Sequence, residues 1–374
     1  MVPTVSVIIP VYNQGRFVGQ AIDSVLSQTF TDCEIIVIND GSTDETAQIL
    51  AGYGDRIRVV TQANFGLAAA RNSGLRSSQG GLIGFLDADD LWYPEMLSTT
   101  VSHLQRRSDV DLVSGAWDYI DESGQTIEGT TKPSNLQTKV RADLLRELAM
   151  GNLFPVHALL IRRKCFDCCG FFDTSLEAME DWDLWLRMAI HGHKLDLIDV
   201  PVARYRRHSG CMTLEPQRLE GAFHQVLAKL FSDERVAINL ADFRILAYVA
   251  EWLFLAEHCQ EAGLDEELRR CVDMAEKLYP TAPFDEELSR RFFFIASRLP
   301  GTESFVQMVS TSMPELLVYY YWNTARRSSE DGRYRSALQG LLKVILRSPG
   351  RLVGRAFLKV GQSLFRLRDS SASV

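Results

Sequence analysis

The stretch Val5-Ser6-Val7-Ile8-Ile9-Pro10-Val11-Tyr12-Asn13, followed by Ile35-Ile36-Val37-Ile38-Asn39-Asp40-Gly41-Ser42-Thr43-Asp44, decides the fold. Each segment opens as a short, continuous apolar run and closes in turn-forming polar residues. Continuous runs of this length suit strands buried on both faces of a parallel sheet. Between them Phe17, Ala21, Ile22, Val25 and Leu26 recur at helical spacing and predict one apolar helix face. Ser42 and Glu45 have the spacing of a capping box that would open the next helix. Further strands are expected at Ile57 to Val60 and Leu82 to Leu86, with a helix at Leu67 to Leu75 between them. A β-α-β-α-β order predicts an α/β, Rossmann-like sheet with right-handed crossovers.

Outward from this core, the 374 residues are long for one compact domain. The character changes near residue 215. Arg244 to His258, Asp265 to Leu278 and Glu286 to Leu299 read as amphipathic helices separated by Gly or Pro signals. The expectation is an α/β domain over 1–215 and an α-helical, faintly repeat-like domain over 216–374. An apolar content of 46% with 24% charged residues excludes general disorder. No run approaches the roughly 18 apolar residues of a spanning helix, and no basic leader precedes the first strand, so a cytoplasmic location is expected. The net charge of −8 argues against nucleic-acid binding.

Charge is unevenly spread. Nine Lys/Arg and no Asp/Glu lie between Arg333 and Arg368, interleaved with apolar residues such as Leu341, Ile345, Phe357 and Phe365. Basic amphipathic helices of this kind lie on anionic membrane surfaces, or else complete a helical domain with a solvated basic face. Of seven cysteines, Cys165, Cys168 and Cys169 cluster. A zinc site would want a second pair at matching spacing, and none follows, so these read as reduced, mostly buried thiols.

Ligands of open α/β sheets bind beyond the carboxyl ends of the strands. Here those ends are Pro10-Val11-Tyr12-Asn13, Asn39-Asp40-Gly41-Ser42-Thr43-Asp44 and Asp87-Ala88-Asp89-Asp90. Singly, each is also ordinary turn or cap chemistry. Together they concentrate carboxylates that repel unless a cation or donors gather them. Asp87 and Asp89, one residue apart at a strand mouth, offer oxygen ligands to a hard divalent cation that also binds phosphates. The sequence has no Walker loop and no G-x-G-x-x-G, so a cation rather than a glycine cradle would hold phosphate.

These three motifs, with Asn64-Phe65-Gly66 and Ala70-Arg71-Asn72-Ser73-Gly74 in order between them, closely resemble the family 2 glycosyltransferases of the GT-A fold. The resemblance runs over roughly residues 4 to 210. It implies an inverting transfer of a sugar from a nucleotide-sugar, by default a UDP-sugar, to an acceptor hydroxyl, with Mn²⁺ or Mg²⁺. Pro10, Val11, Tyr12, Asn13 and Asp40 would hold the base, Arg71 would close the nucleotide site, and Asp87 with Ala88 would lie by the ribose. Asp87, Asp89 and His208 of Tyr205-Arg206-Arg207-His208 would hold the cation, and Arg206 or Arg207 would contact phosphate. Inversion needs one general base. The resemblance places it on Asp181 of Met179-Glu180-Asp181-Trp182-Asp183, with Glu180 and Asp183 as substitutes; the bland alternative is an acidic helix start. The Q-x-x-R-W element of processive members is lacking, Trp185-Leu186-Arg187 standing on the following helix, which suggests one sugar per encounter. The expected acceptor is a glycan or lipid-linked saccharide of cell-surface polysaccharide synthesis, reached at the inner face of the membrane. A non-catalytic scaffold on this fold and a sugar nucleotidyltransferase are the competing readings. The scaffold conflicts with the retained acidic residues, and the nucleotidyltransferase with the poor phosphate loop Gln14-Gly15-Arg16.

Overall fold

The computed structural model describes residues 2–127, 136–208, 210–211, 215–240 and 243–278, with Leu288 and Ile295. The first half follows the expected alternation: β1 (Val5–Val11), α1 (Gly15–Leu26), β2 (Cys33–Asn39), α2 (Thr46–Ala51), β3 (Arg58–Thr61), α3 (Leu67–Ser77) and β4 (Leu82–Phe85). All seven residues of β1 are buried, as a strand covered on both faces requires. Phe17, Ala21, Ile22 and Val25 of α1 are buried with Val18, while Leu26 at the helix end is exposed.

The second half mixes directions. It comprises β5 (Leu91–Trp92), α4 (Met96–Arg106), β6 (Leu112–Ile120), α5 (Gln137–Ala142), α6 (Leu144–Ala149), β7 (Leu159–Arg162), α7 (Lys164–Cys169), α8 (Glu180–Ile190) and β8 (Leu195–Arg206). The eight-stranded sheet runs β3-β2-β1-β4-β7-β6-β8-β5. β7 is antiparallel to both β4 and β6, and β6 is parallel to β8. The carboxyl ends of β4, β6 and β8 therefore share one rim, at which β7 begins.

The capping box does not form. Ser42 Oγ instead accepts from the Asn13 N–H (3.0 Å). Asp44 serves both helix starts, accepting from Gly15 N (2.9 Å) and Thr46 N (3.1 Å). A carboxylate between two helix N-termini meets both sets of free N–H groups.

Two compact units divide the chain at Ala247/Tyr248. The boundary expected near 215 lies inside the first unit, because α9 (Pro216–Ser232) and α10 (Glu234–Asn239) pack there. Phe223 of α9 meets the Trp182 ring at 4.9 Å, and Lys229 pairs with Asp173 and Asp183 (both 2.7 Å). α11 (Arg244–Ala262) runs into the second unit. There α12 (Asp265–Leu278) follows a turn at Gly263, whose φ of 72° suits a residue without Cβ. Leu253, Ala256, Cys259, Leu268, Cys271 and Val272 are buried in this unit. The expected helix at Glu286 to Leu299 falls almost wholly outside the described residues, and the basic stretch Arg333 to Arg368 lies entirely outside them. Among the described residues no helix is long and apolar enough to cross a membrane.

Candidate active site

The ends of β1 and β2 form one side of the rim. Pro10 and Val11 are buried, whereas the Tyr12 ring is 46% exposed. Asn13 sits at φ 51°, a left-handed conformation that Asn tolerates. Its carboxamide oxygen accepts from Thr43 N (2.7 Å), so this side chain fastens the two strand ends together. Asp40 is buried. Its Oδ1 accepts from Gln62 Nε2 (2.7 Å) and Phe65 N (3.1 Å), and its Oδ2 from Gly66 N (2.8 Å). The carboxylate thus holds the 62–66 loop and leaves Phe65 69% exposed beside it. Gly41 has no substitute here: its φ is 79°, and a Cβ would stand 2.9 Å from Asn64 N.

The Arg71-Asn72-Ser73-Gly74 motif on α3 resolves into four tasks. Arg71 is buried and spans Asp87 Oδ1 (2.7 Å) and Glu180 Oε1. Burial alone would lower its pKa, but Asp87, Glu180 and Asp181 outweigh it and raise it. Asn72 holds the backbone of Phe172 through both carboxamide atoms (2.8 and 2.9 Å). Ser73 Oγ donates to Gln62 Oε1 (2.6 Å), fixing the amide that grips Asp40. Gly74 lets α3 lie against β1, since a Cβ there would fall 2.2 Å from Ile8 Cγ2.

Beyond β4, Ala88 is buried and three aspartates diverge in role. Asp87 faces Arg71. Asp89 Oδ2 lies 2.9 Å from His208 Nε2, and this contact raises the His208 pKa against the effect of burial. Gly210 N donates to His208 Nδ1 (3.2 Å), leaving Nε2 as the atom turned to Asp89. Asp90, 1% exposed, accepts from Arg206 N (2.7 Å) and contacts His157 Nδ1 (2.7 Å). Burial pushes its pKa up to about 6, opposed by His157.

Arg206 carries no free fork for phosphate. It is fully buried, donating to the carbonyls of Asp89, Asp121 and Glu122 and to Gln20 Oε1, with its guanidinium 4.7 Å from the Phe17 ring. The guanidinium therefore clamps the loops around β8. Arg207 lies over the Tyr119 ring at 4.5 Å.

The acidic run enters α8 through Met179, whose φ of 58° is rare for a residue with a side chain. This turn separates the three acids. Glu180 goes inward to Arg71. Asp183 is buried against Arg187 (2.8 Å) and Lys229 (2.7 Å). Asp181 alone stays partly exposed, with both oxygens 3.1 Å from Asn152 Nδ2 and Oδ1 accepting from Trp182 N (2.7 Å). Burial raises the Asp181 pKa, while Arg71 and Asn152 hold it down.

For a divalent cation, the partly exposed pair Asp89 and His208, with Asp87 at the same turn, supplies carboxylate oxygen and imidazole nitrogen, a donor set that fits Mn²⁺ or Mg²⁺ with diphosphate oxygens. Asp87, Asp90 and His157 also bring ligand atoms within 4.8 Å of one another. Asp90 and His157 are enclosed and already engaged, so that trio braces the turn from beneath. Asn152 and His157 had no local sequence signal. Both lie in the 115–157 segment, next to no recognisable motif, and become visible only when β7 brings them to the rim.

The open mixed sheet, with its Asp87-Ala88-Asp89 turn at the mouth of β4, defines a GT-A-type domain. Residues 6–170 match the family described as glycosyl transferase family 2. An uncharacterized glycosyltransferase of Rickettsia prowazekii is 36% identical over 186 residues, covering 50% of this chain and 58% of that one. The chain therefore spans less than two thirds of that relative's length. S. aureus TarS 1–349, solved in complex with UDP-GlcNAc, superposes with a TM-score of 0.53 at 17% identity, covering 87% of this chain and 92% of that one. The mannosyltransferase PcManGT of Pyrobaculum calidifontis, solved with GDP-Man and Mn²⁺, gives 0.53 at 18% identity, covering 83% and 85%. At these identities the two structures establish the fold.

Proposed function

We propose that the chain is an inverting, non-processive glycosyltransferase that uses a nucleotide-sugar, by default a UDP-sugar, and a saccharide or lipid-linked acceptor hydroxyl. The observation that carries this reading is the isolation of Asp181. Of three acids at the start of α8 it alone is left partly exposed, and it shares an electrostatic network with Arg71 and Asp87. A carboxylate so placed takes the acceptor proton as its oxygen attacks the anomeric carbon from the side opposite the leaving diphosphate. Glu180 neutralises Arg71 from within, and Asn152 holds both Asp181 oxygens in position. Tyr12 and Phe65 are exposed aromatics flanking Asp40, suited to stacking on a base whose N–H reaches a remaining Asp40 lone pair. Asp87, Asp89 and His208 would hold Mn²⁺ or Mg²⁺, which supplies Lewis-acid neutralisation of charge on the departing diphosphate. The neighbours solved with UDP-GlcNAc and with GDP-Man and Mn²⁺ support a nucleotide-sugar donor and a divalent cation. The site lies in the cytoplasm under this reading, with the basic 333–368 stretch docking at the inner membrane face.

The test is nucleoside-diphosphate release from UDP-, GDP- and dTDP-sugars with Mn²⁺, Mg²⁺ or chelator, followed by a binding assay on the same panel. Slow release from one donor, abolished by chelator and by Asp89→Ala, is expected. A protein that neither turned over nor bound any donor would be a scaffold instead.

A further inference from the structure

A second cluster of chemically soft side chains lies at the opposite rim of the sheet, at the amino ends of β6 and β8. Asp111 immediately precedes β6 and His193 precedes β8, while α7 follows the end of the antiparallel β7. All three therefore meet where β6 and β8 begin, a strand's length from the rim that carries Asp89 and Asp181. The sequence offered only Cys165, Cys168 and Cys169 without a matching second pair. The fold supplies a histidine in its place.

Cys168 Sγ stands 3.4 Å from Cys169 Sγ and 3.0 Å from His193 Nε2. The two sulfurs and a His193 nitrogen all lie within 4.8 Å of one another. Ligands of a tetrahedral zinc ion, with bonds of about 2.3 Å to sulfur and 2.0 Å to nitrogen, are themselves roughly 3.5–3.8 Å apart. Widening the two Cys168 contacts by about half an ångström or less brings them to that spacing, and the third pair, Cys169 with His193, lies within 4.8 Å. The other ring nitrogen, Nδ1, lies 2.8 Å from Asp111 Oδ2. An ionised carboxylate only accepts, so Nδ1 carries the proton and the Nε2 lone pair faces the thiols. On its other oxygen Asp111 pairs with Lys164 Nζ at 2.5 Å, so the carboxylate is held between a cation and the imidazole. A carboxylate that fixes the tautomer of an imidazole facing soft ligands is the usual outer partner of a zinc-bound histidine.

The geometry points to a soft divalent metal site, for Zn²⁺ in the first instance, formed by Cys168 Sγ, Cys169 Sγ and His193 Nε2 with Asp111 as the outer carboxylate. Binding replaces the two thiol protons, which leave to solvent, so that M²⁺ is held by two thiolates and a neutral imidazole. Cys168 is exposed, which gives the ion an entry path and leaves the fourth tetrahedral position to water. Cys165, buried on the Nδ1 side at 3.7 Å, remains a packed thiol. The ion ties α7 to the rim where β6 and β8 start, and is separate from any cation at the donor site.

The full chain, reduced and stripped with chelator, is titrated with Co²⁺ alone and read for the sulfur-to-cobalt charge-transfer absorption that only thiolate ligation produces. One equivalent should give the band, and the band should persist in Asp89→Ala. It should vanish in Cys168→Ser and in Cys169→Ser. Asp111→Asn should lower Zn²⁺ affinity by about 10–100-fold in competition with a chromophoric chelator. Because Cys168 is exposed, Cys168→Ser should fold and keep its donor turnover. No band from the reduced wild type overturns the proposal, as does a band that survives Cys168→Ser. A protein isolated with a Cys168–Cys169 disulfide that gives no band after reduction overturns it equally.

Discussion

At the scale of single residues, the division of labour among Glu180, Asp181 and Asp183 gives the sharpest expectations. Asp181→Asn keeps the shape and the Asn152 neighbour but removes the proton acceptor. Transfer should fall by about 10²–10⁴-fold with donor binding retained; near-normal transfer would place the base elsewhere. Asn152 donates to the ionised form of Asp181, so losing it should raise a carboxyl pKa that burial already raises. A base works deprotonated, so activity rises as pH climbs through that value. In Asn152→Ala the acid limb of the pH–rate profile should move to higher pH. A lower plateau with an unmoved limb would make Asn152 a purely steric support. The acidic motifs were legible in the sequence because turn residues at strand ends are contiguous. Asn152 and His157 were not, because their meaning comes from β7, whose antiparallel entry no local pattern encodes. Arg206 shows the same limit: a basic residue beside acids, like its neighbour Arg207, suggests a phosphate contact, and only packing reveals that carbonyls and Gln20 occupy the Arg206 guanidinium.

At the scale of elements, glycine spacing sets how closely helices lie on the sheet. The β-α-β alternation could be read from burial periodicity, but not the closeness of α3 to β1, which depends on Gly74 facing Ile8. Gly74→Ala gains about 1 kcal/mol in helix propensity, yet its methyl would fall 2.2 Å from Ile8 Cγ2. Overpacking of this kind costs about 1–3 kcal/mol and shifts backbone. The variant should unfold at lower urea concentration. Since Arg71 and Ser73 ride on the same helix, it should also bind donor more weakly; a more stable variant would show that α3 moves without resistance. Met179→Gly makes the converse case. The left-handed turn costs a side-chain-bearing residue about 1–2 kcal/mol, which glycine avoids. This variant should be as stable as the parent or more so, but slower in transfer if the turn's rigidity aims Asp181.

At the scale of the whole molecule, a buried carboxylate that joins β8 to the helices beside it makes the stability of the mixed half of the sheet acid-sensitive. Asp196 of β8 accepts from Arg141 Nε of α5 (2.9 Å). It also pairs with His103 Nε2 of α4 (2.9 Å) and Arg107 NH1 (3.0 Å). Burial opposes its ionisation, but Arg141, His103 and Arg107 outweigh that and lower its pKa. A group whose folded pKa is depressed contributes fully above the unfolded value of about 3.9 and loses that contribution as pH falls through the folded value. Asp196→Asn should therefore cost about 1–3 kcal/mol near neutrality, the scale of hydrogen bonds to charged groups. The gap between parent and variant should close as pH drops below about 3.9. Urea midpoints measured across that range test the sign. A gap that stayed constant down to the lowest pH would mean that Asp196 acts by shape rather than charge, and that the acid response of the sheet originates in another carboxylate.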